Sequence, residues 1–287
     1  MKPPDGLKLA LAQPQIREAE AADGREADAT GMIRNAGSSG ADLILFPESF
    51  PGPIEAGGSR DSEPEIALAC KEAGTAACWG RIERGEDGRF RTVALLTSGS
   101  GERIGRYVRS HPATGDVHQV LSGVPMAPGE ELGLFELDGL RLGITICSEL
   151  WNPEISRVLA LRGAELLLAP AGGSFHRVAA NWQLMARARA IENELYVGLT
   201  QQLFGDESGS AMVAGPEAVL ATLTDPGLLV VDLDLERSRW LRGRDDSMQE
   251  PKEFDALPGL LRARRPELYS DLGLPVPGLY DYDAAGG

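Results

Sequence analysis

The sequence predicts an α/β protein, and two observations carry this prediction. Short apolar runs rich in Leu, Ile and Val alternate with segments of helical periodicity up to about residue 240. One run, residues 142–146, leads through Cys147 to Pro153, and proline favours the first turn of a helix. A cysteine between a strand and a helix stands where α/β enzymes expose a nucleophile beside backbone N–H groups. A buried packing cysteine is the alternative interpretation.

Composition is that of an ordinary globular protein and narrows the classes of partner. The chain has 287 residues, of which 43% are hydrophobic and 25% are charged. The formal net charge of −15 argues against a nucleic acid or an anionic membrane as a partner. We see neither an apolar signal region nor an apolar run long enough to span a bilayer. The three cysteines suggest no disulfide framework, so we expect a cytoplasmic protein.

The first half of the chain predicts most of one sheet and its helices. Strands are predicted at 7–13, 42–46, 77–82 and 90–97, and helices at 25–39 and 65–75. The turn at 85–88 joins the last two strands into a hairpin. The glycine-rich segment 98–105 is predicted to be a turn, because no helical pattern follows it.

Glu48 follows the second strand, directly after Pro47 ends it. In α/β folds, ligands bind at the carboxyl ends of the strands. A carboxylate at this position is either a solvated loop charge or a catalytic base, and the local sequence leaves both interpretations open.

The second half repeats the alternation of strand and helix. Strands are predicted at 134–137, 140–146, 166–169, 196–201, 210–214, 218–223 and 228–233, and helices at 153–162 and 178–194. Asn152 is a suitable cap for the helix that begins at Pro153. The proline-rich tail predicts an extended arm from about residue 250. Since no linker or change of composition interrupts the chain, we predict a single domain over residues 1–287.

Several segments, in this order along the chain, resemble the nitrilase superfamily of carbon–nitrogen hydrolases. The similar segments are 41–48, 143–147, 163–170, 189–193, 209–216 and 265–269. The first resembles the segment with the family's catalytic glutamate, here Glu48, and the second the segment with its nucleophile, here Cys147. The resemblance implies a four-layer αββα sandwich that forms a homodimer or a higher homo-oligomer. It also implies attack on a small-molecule amide, nitrile or carbamoyl group through a thioester or thioimidate.

The resemblance assigns a third catalytic position to Arg109, where the family has lysine. The segment 107–111 resembles the family's lysine segment, with arginine in place of that residue. Arginine keeps the positive charge that stabilises an oxyanion, but it does not readily give up a proton. The family's second glutamate also has no counterpart, because Ser122 or a neighbour occupies its place. The predicted catalytic set is therefore Glu48, Arg109 and Cys147.

Four further residues are predicted to contact the substrate. They are Glu149, Trp151, His118 and Ser174, which lie next to the nucleophile or in the loops expected to shape the pocket. Those loops are 49–64, 110–130 and 171–180. The three histidines lack the paired spacing of metal ligands, so the sequence predicts neither a metal nor another cofactor.

Two classes of function fit these residues. The first is a thiol-dependent carbon–nitrogen hydrolase, or a C–N bond-forming relative, with an atypical Glu–Arg–Cys set. The second is a catalytically inactive nitrilase-like protein that binds a ligand or a partner protein in the same cleft. Turnover that is lost on Cys147→Ala discriminates between them. The sequence does not name the substrate.

Overall fold

Two six-stranded sheets form the centre of the protein. A computed structural model of the chain describes residues 4–16, 22–52, 61–113, 126–173, 178–204, 209–245, 252–274 and 276. The strands are β1 (Gly6–Gln13), β2 (Gln15–Ile16), β3 (Leu43–Leu45), β4 (Ala76–Arg84), β5 (Phe90–Thr97), β6 (Arg103–Val108), β7 (Gly133–Leu137), β8 (Leu140–Ile144), β9 (Leu166–Ala171), β10 (Tyr196–Gln201), β11 (Leu203–Phe204), β12 (Ala211–Ala214), β13 (Val219–Leu223) and β14 (Gly227–Asp234). The helices are α1 (Ala22–Ser38), α2 (Glu63–Ala73), α3 (Pro153–Leu161), α4 (Ala179–Asn193) and α5 (Leu235–Gly243).

The two sheets have the same plan. The first has the order β14-β1-β3-β4-β5-β6, and the second has the order β13-β12-β10-β9-β8-β7. In each sheet three neighbouring strands are parallel, β1-β3-β4 in the first and β8-β9-β10 in the second, and the outer pairs are antiparallel. A short parallel pair joins β2 to β11. Because parallel strands end at the same edge, the loops that follow them are brought together there.

Burial divides the molecule into four layers. The layer between the sheets is rich in leucine and includes Leu9, Leu11, Leu45, Leu142, Ile144 and Leu168, all fully buried. On the outer side of the first sheet, Ile33 of α1 and Ile66 of α2 pack into a second apolar cluster. On the outer side of the second sheet, Leu159 of α3 and Ala186 of α4 do the same. The predicted αββα sandwich is therefore confirmed. None of the helices in the described part of the chain is long and apolar enough to cross a membrane.

The glycine-rich segment predicted to be a turn is in fact a turn followed by an edge strand. The turn ends before Arg103, which begins β6 and pairs with Thr97. Gly105 does not serve the turn but leaves room for the second sheet, because a Cβ there would lie 2.7 Å from the Phe135 ring. The sequence pattern assigned Gly105 to a turn. The ring that it accommodates is distant along the chain, so the pattern could not indicate this role.

Asn152 does not cap the helix that follows Cys147. A 3₁₀ turn, Cys147–Trp151, precedes α3, and the Asn152 side chain makes no capping hydrogen bond. The strand therefore leads into a tight turn before the α-helix begins.

The described part of the predicted C-terminal arm is folded back rather than extended. Residues 252–274 form bends, turns and two short 3₁₀ segments. The backbone N–H of Gly259 donates to the carbonyl of Leu241 in α5, and the N–H of Asp255 donates to the Glu217 carboxylate. Arg237 also donates to the carbonyl of Glu253. These hydrogen bonds hold the segment against α5 and against Glu217.

Gly80 in β4 is required by the loop that carries Glu48. A Cβ at this position would lie 2.7 Å from the backbone nitrogen of Ser49 and 3.2 Å from the carbonyl oxygen of Val93. We expect Gly80→Ala to lower the free energy of unfolding by about 1–3 kcal/mol, because overpacking forces the backbone to shift. Urea denaturation measures the change. In α1, Gly31→Ala is the matched control: no atom lies within 4 Å of its Cβ position, and alanine there stabilises by up to ~1 kcal/mol. Equal stability of Gly80→Ala and wild type would contradict the prediction.

Candidate active site

Five strands deliver polar groups to one edge of the sandwich. Glu48 follows β3 and Arg109 follows β6, both in the first sheet. Cys147, Gly172 and Gln202 follow β8, β9 and β10 of the second sheet. The structure therefore brings the three predicted catalytic residues together across the two sheets, although they lie far apart in sequence.

Arg109 is buried, and its guanidinium group donates hydrogen bonds to Glu48, Ser148 and His111. Its Nη1 donates to Oε1 of Glu48 at 3.1 Å, its Nη2 to Oγ of Ser148 at 2.5 Å, and its Nε to the carbonyl of His111 at 3.1 Å. Only 4% of the residue is exposed. A planar guanidinium suits such a set because its donors point in fixed directions. The positive charge is thus held beside both the carboxylate and the nucleophile's turn.

The Cys147 thiol faces Glu48. It lies within hydrogen-bond reach of that carboxylate, and the Gly172 N–H donates to its sulfur. Burial and the charge of Glu48 raise the pKa of Cys147 to about 12, against the opposing effects of Arg109 and the Gly172 N–H. At neutral pH the thiol is therefore protonated, and its attack requires a base in contact with it. Glu48 is so placed, and its ion pair with Arg109 uses the carboxylate form that accepts a proton.

Glu48 is fixed through its own backbone. Its N–H donates to the carbonyl of Ala171 at 3.2 Å, and its carbonyl accepts a bond from Nε2 of Gln202 at 2.8 Å. A Cβ on Gly172 would lie 3.3 Å from Oε2 of Glu48, so a larger residue there would press on the carboxylate. The second sheet thus fixes the position of Glu48, which follows a strand of the first sheet.

Two residues at this edge have a strained backbone conformation. Among the described non-glycine residues, those with positive φ are Ser49, Asp138, Cys147 and Glu194. Ser49, at 56°, follows the base, and Cys147, at 54°, is the proposed nucleophile. Such a conformation costs about 1–3 kcal/mol and persists only where the surroundings enforce it, most often at functional sites.

Glu149 does not contact substrate as the sequence predicted. Its side chain is fully buried, and its two oxygens accept hydrogen bonds from protein groups, including the Tyr107 hydroxyl at 2.7 Å and the N–H of Ile146 at 2.7 Å. Burial raises the pKa of Glu149, but its hydrogen bonds outweigh that effect and hold the pKa below the ordinary range. The residue is a buried anion inside the wall of the site. Its proximity to the nucleophile in sequence suggested a contact that the direction of its side chain prevents.

Trp151 packs in the helical layer. Its ring meets that of Trp182 in α4 edge to face, with 5.4 Å between the centroids. This contact packs the indole against α4, and the contact of Trp151 with substrate stays a prediction. His118 and Ser174 lie outside the described residues, as do parts of the three loops expected to shape the pocket.

Sequence reasoning missed Ser148, Gly172 and Gln202. A polar residue directly after a buried parallel strand is the signal that identifies Gln202, and Gly172 stands in the same relation to β9. Ser148 carries no such signal, because a serine beside a cysteine is unremarkable until the guanidinium that it contacts is known.

The comparisons with known proteins agree with this architecture. Residues 8–242 match the family model described as carbon–nitrogen hydrolase. A protein of Pseudomonas protegens named as a hydrolase in the pqqF 5′ region is 34% identical over 251 residues, which cover 81% of each chain. The omega-amidase of Homo sapiens is 25% identical over 257 residues, covering 82% of this chain and 91% of its own.

Solved structures show the same fold. An amidase from Nesterenkonia sp. superposes with a TM-score of 0.71 at 22% identity, covering 93% of this chain and 96% of its own. A variant of that amidase, described as a member of the nitrilase superfamily, superposes with a TM-score of 0.73 at 22% identity and covers 95% and 99%. The family model and the Pseudomonas relative extend over most of the chain, and the similarity first found in short segments is confirmed. The chain belongs to the carbon–nitrogen hydrolase family.

Proposed function

We propose that the chain is a thiol-dependent amidase that hydrolyses the C–N bond of a small-molecule amide. Cys147 is the nucleophile, Glu48 the general base and Arg109 the cation that stabilises the charged intermediate. The observation that carries this proposal is the direct contact of the Glu48 carboxylate with both the Cys147 thiol and the Arg109 guanidinium. Amidases among the relatives support the choice of an amide over a nitrile or a carbamoyl group.

In the first half-reaction, Glu48 takes the proton of Cys147 as the sulfur attacks the carbonyl carbon of the amide. The carbonyl oxygen gains negative charge in the tetrahedral intermediate, and the buried guanidinium of Arg109 stabilises that charge. When the C–N bond breaks, protonated Glu48 returns its proton to the nitrogen, and ammonia or an amine leaves. The acyl group remains on Cys147 as a thioester.

In the second half-reaction, water replaces the leaving amine. Glu48, again a carboxylate, removes a proton from the water as its oxygen attacks the thioester carbon. Collapse of the second tetrahedral intermediate breaks the C–S bond and releases a carboxylic acid, while Glu48 returns its proton to the sulfur and restores the thiol of Cys147. A nucleophile other than water at this step would make the protein an acyl transferase, which is the C–N bond-forming alternative.

The catalytic assignment predicts that ammonia release depends on Cys147 and Glu48. We expect Cys147→Ala to lower kcat by at least about 10³-fold, the scale seen when a nucleophile is removed. Glu48→Gln should also prevent acylation, because an amide side chain does not accept the thiol proton. Ammonia release from a panel of small aliphatic amides measures both effects. Cys70→Ala, at a buried cysteine of the outer core, is the control and should retain turnover. Equal background rates for wild type and Cys147→Ala would support the inactive, ligand-binding alternative.

Arg109 is predicted to act through both its charge and its shape. We expect Arg109→Ala to lower kcat by roughly 10²–10³, the usual scale for loss of one oxyanion-stabilising group. Arg109→Lys should lower kcat about tenfold, because one ammonium does not reproduce the bonds to Glu48, Ser148 and the His111 carbonyl. Steady-state kinetics on the best amide measures both. Arg141→Lys, at an exposed arginine that donates to the Arg162 carbonyl, is the control. Full activity of Arg109→Lys would show that the charge alone is sufficient.

We also propose a homodimer formed through the outer face of α4. Leu184 and Ile191 lie two helical turns apart on one face and are 58% and 36% exposed, so they form an apolar pair that a partner chain would bury. We expect light scattering to give twice the chain mass of 30.6 kDa at micromolar concentrations. Leu184→Glu should reduce the mass to that of one chain, because a charge there would be buried in the interface. Leu68→Glu, at a leucine of α2 that is 54% exposed, should leave the dimer intact. A monomeric wild type would contradict the proposal.

A further inference from the structure

Glu149 connects the loops that carry two of the proposed catalytic residues. It belongs to the 3₁₀ turn of Cys147, and its donors come mainly from the segment that contains Arg109. Its Oε1 accepts bonds from the Tyr107 hydroxyl at 2.7 Å, the Ser110 N–H at 2.8 Å, the Ser110 hydroxyl at 2.9 Å and the His111 N–H at 2.9 Å. Its Oε2 accepts a bond from the Ile146 N–H at 2.7 Å.

We propose that Glu149 is a positioning residue that sets the place of the Arg109 guanidinium relative to Cys147. The proposal rests on the function proposed above, in which Arg109 stabilises charge at the reacting carbon. Glu149 itself touches neither substrate nor the reacting atoms, because its side chain is fully buried.

The path from Glu149 to Arg109 is short and continuous. The carboxylate holds the N–H of His111, and the carbonyl of the same residue accepts the bond from Nε of Arg109. It also holds the N–H of Ser110, the residue directly after Arg109. Two consecutive backbone groups are therefore fixed by one carboxylate. The Arg109 guanidinium is bound to that backbone, so the Glu149 carboxylate also determines its position.

The same carboxylate fixes the nucleophile's side of the site. Its second oxygen holds the N–H of Ile146, the residue before Cys147, as a glutamate does in the first turn of a helix. Arg109 follows a strand of the first sheet and Cys147 follows a strand of the second. Glu149 thus bridges the two sheets at the point where the guanidinium and the thiol must meet.

The chemistry favours a carboxylate over its amide at this position. All five of the bonds described above place a donor against one of the two oxygens, and bonds to an ionised acceptor are the strong ones. In Glu149→Gln the NH₂ group replaces one oxygen and meets either the Ile146 N–H or the donors of the Arg109 segment. Two donors then face each other, so that one side of the bridge is released.

A double-mutant cycle tests the proposal by turnover. We expect Glu149→Gln to lower kcat about tenfold or more while KM changes by less than about twofold, since substrate contacts are retained. In an Arg109→Ala background the same substitution should have almost no effect on kcat, because it acts through the guanidinium. Equal losses in both backgrounds would overturn the proposal and assign Glu149 to general stability.

The matched control removes a second largely buried carboxylate at the other end of the sheet. Glu165 pairs with Arg239 and precedes β9, a strand that ends beside Gly172. Glu165→Gln should lower the melting temperature without changing kcat. If Glu149→Gln does not fold, Tyr107→Phe and Ser110→Ala each remove one donor and should cause smaller losses of kcat with the same dependence on Arg109. Losses that do not depend on Arg109 would again overturn the proposal.

Alkylation of Cys147 by iodoacetamide tests the proposal without turnover. The charge of Arg109 lowers the pKa of the thiol, so its displacement should raise that pKa and slow alkylation at a fixed pH by about threefold or more. Loss of the negative charge of Glu149 alone would have the opposite sign. We expect slower alkylation in Glu149→Gln and no further slowing when Arg109→Ala is already present, with Cys147→Ala as the blank.

Each result of the alkylation experiment has a distinct meaning. Unchanged or faster alkylation in folded Glu149→Gln would overturn the positioning role. If wild type hydrolyses none of the amides but the alkylation rates follow the expected pattern, the amidase proposal fails and the positioning of Arg109 by Glu149 stands.

Discussion

The burial of two leucine-rich sheet faces against each other is the constraint on which the site depends. Glu48 and Arg109 belong to the first sheet, and Cys147 and Gly172 belong to the second. Neither sheet alone carries both Glu48, the proposed base, and Cys147, the proposed nucleophile. Since a shift of one residue in a strand exchanges its two faces, the inner leucines also fix the level at which each strand ends. Core packing therefore sets the distance between the groups that react.

Several arginines of this protein donate hydrogen bonds to backbone carbonyls. Arg187 binds the turn at 215–217, Arg189 binds the carbonyls of Leu150 and Trp151, and Arg242 binds three carbonyls near the ends of α4 and α3. A guanidinium suits this use because its donors diverge in one plane, whereas an ammonium is a point charge. Arg109 follows the same pattern when it donates to the His111 carbonyl. An arginine at position 109 is therefore consistent with how the chain uses arginine elsewhere.

At the site, the protonated thiol of Cys147 lies beside the Glu48 carboxylate, which is ion-paired with Arg109. Burial raises the pKa of the Cys147 thiol, so that in the proposed mechanism the thiol attacks only when Glu48 accepts its proton. The positive charge of Arg109 is paired with Glu48, and in the proposed mechanism it also stabilises the oxygen that becomes charged. Glu149 supplies a second negative charge, which is saturated by hydrogen bonds and removed from solvent. The Glu48 carboxylate thus faces the thiol, whereas the Glu149 carboxylate has a structural role.

The sequence by itself determined most of the strands and helices and the three proposed catalytic residues, but it predicted neither β6 nor α5. Local periodicity indicates strands and helices. The segments around Glu48, Arg109 and Cys147 resemble segments of the family and follow one another in the same order. The tertiary structure decided the role of Glu149, whose bonds to Ser110 and His111 span 39 and 38 residues of sequence. It also decided the role of Gly105, which accommodates a ring from the other sheet, and the contact between Arg109 and Ser148. The physical reason is that a hydrogen bond or a steric contact across two sheets leaves no periodic trace in either segment, so it exists only once the core has brought them together.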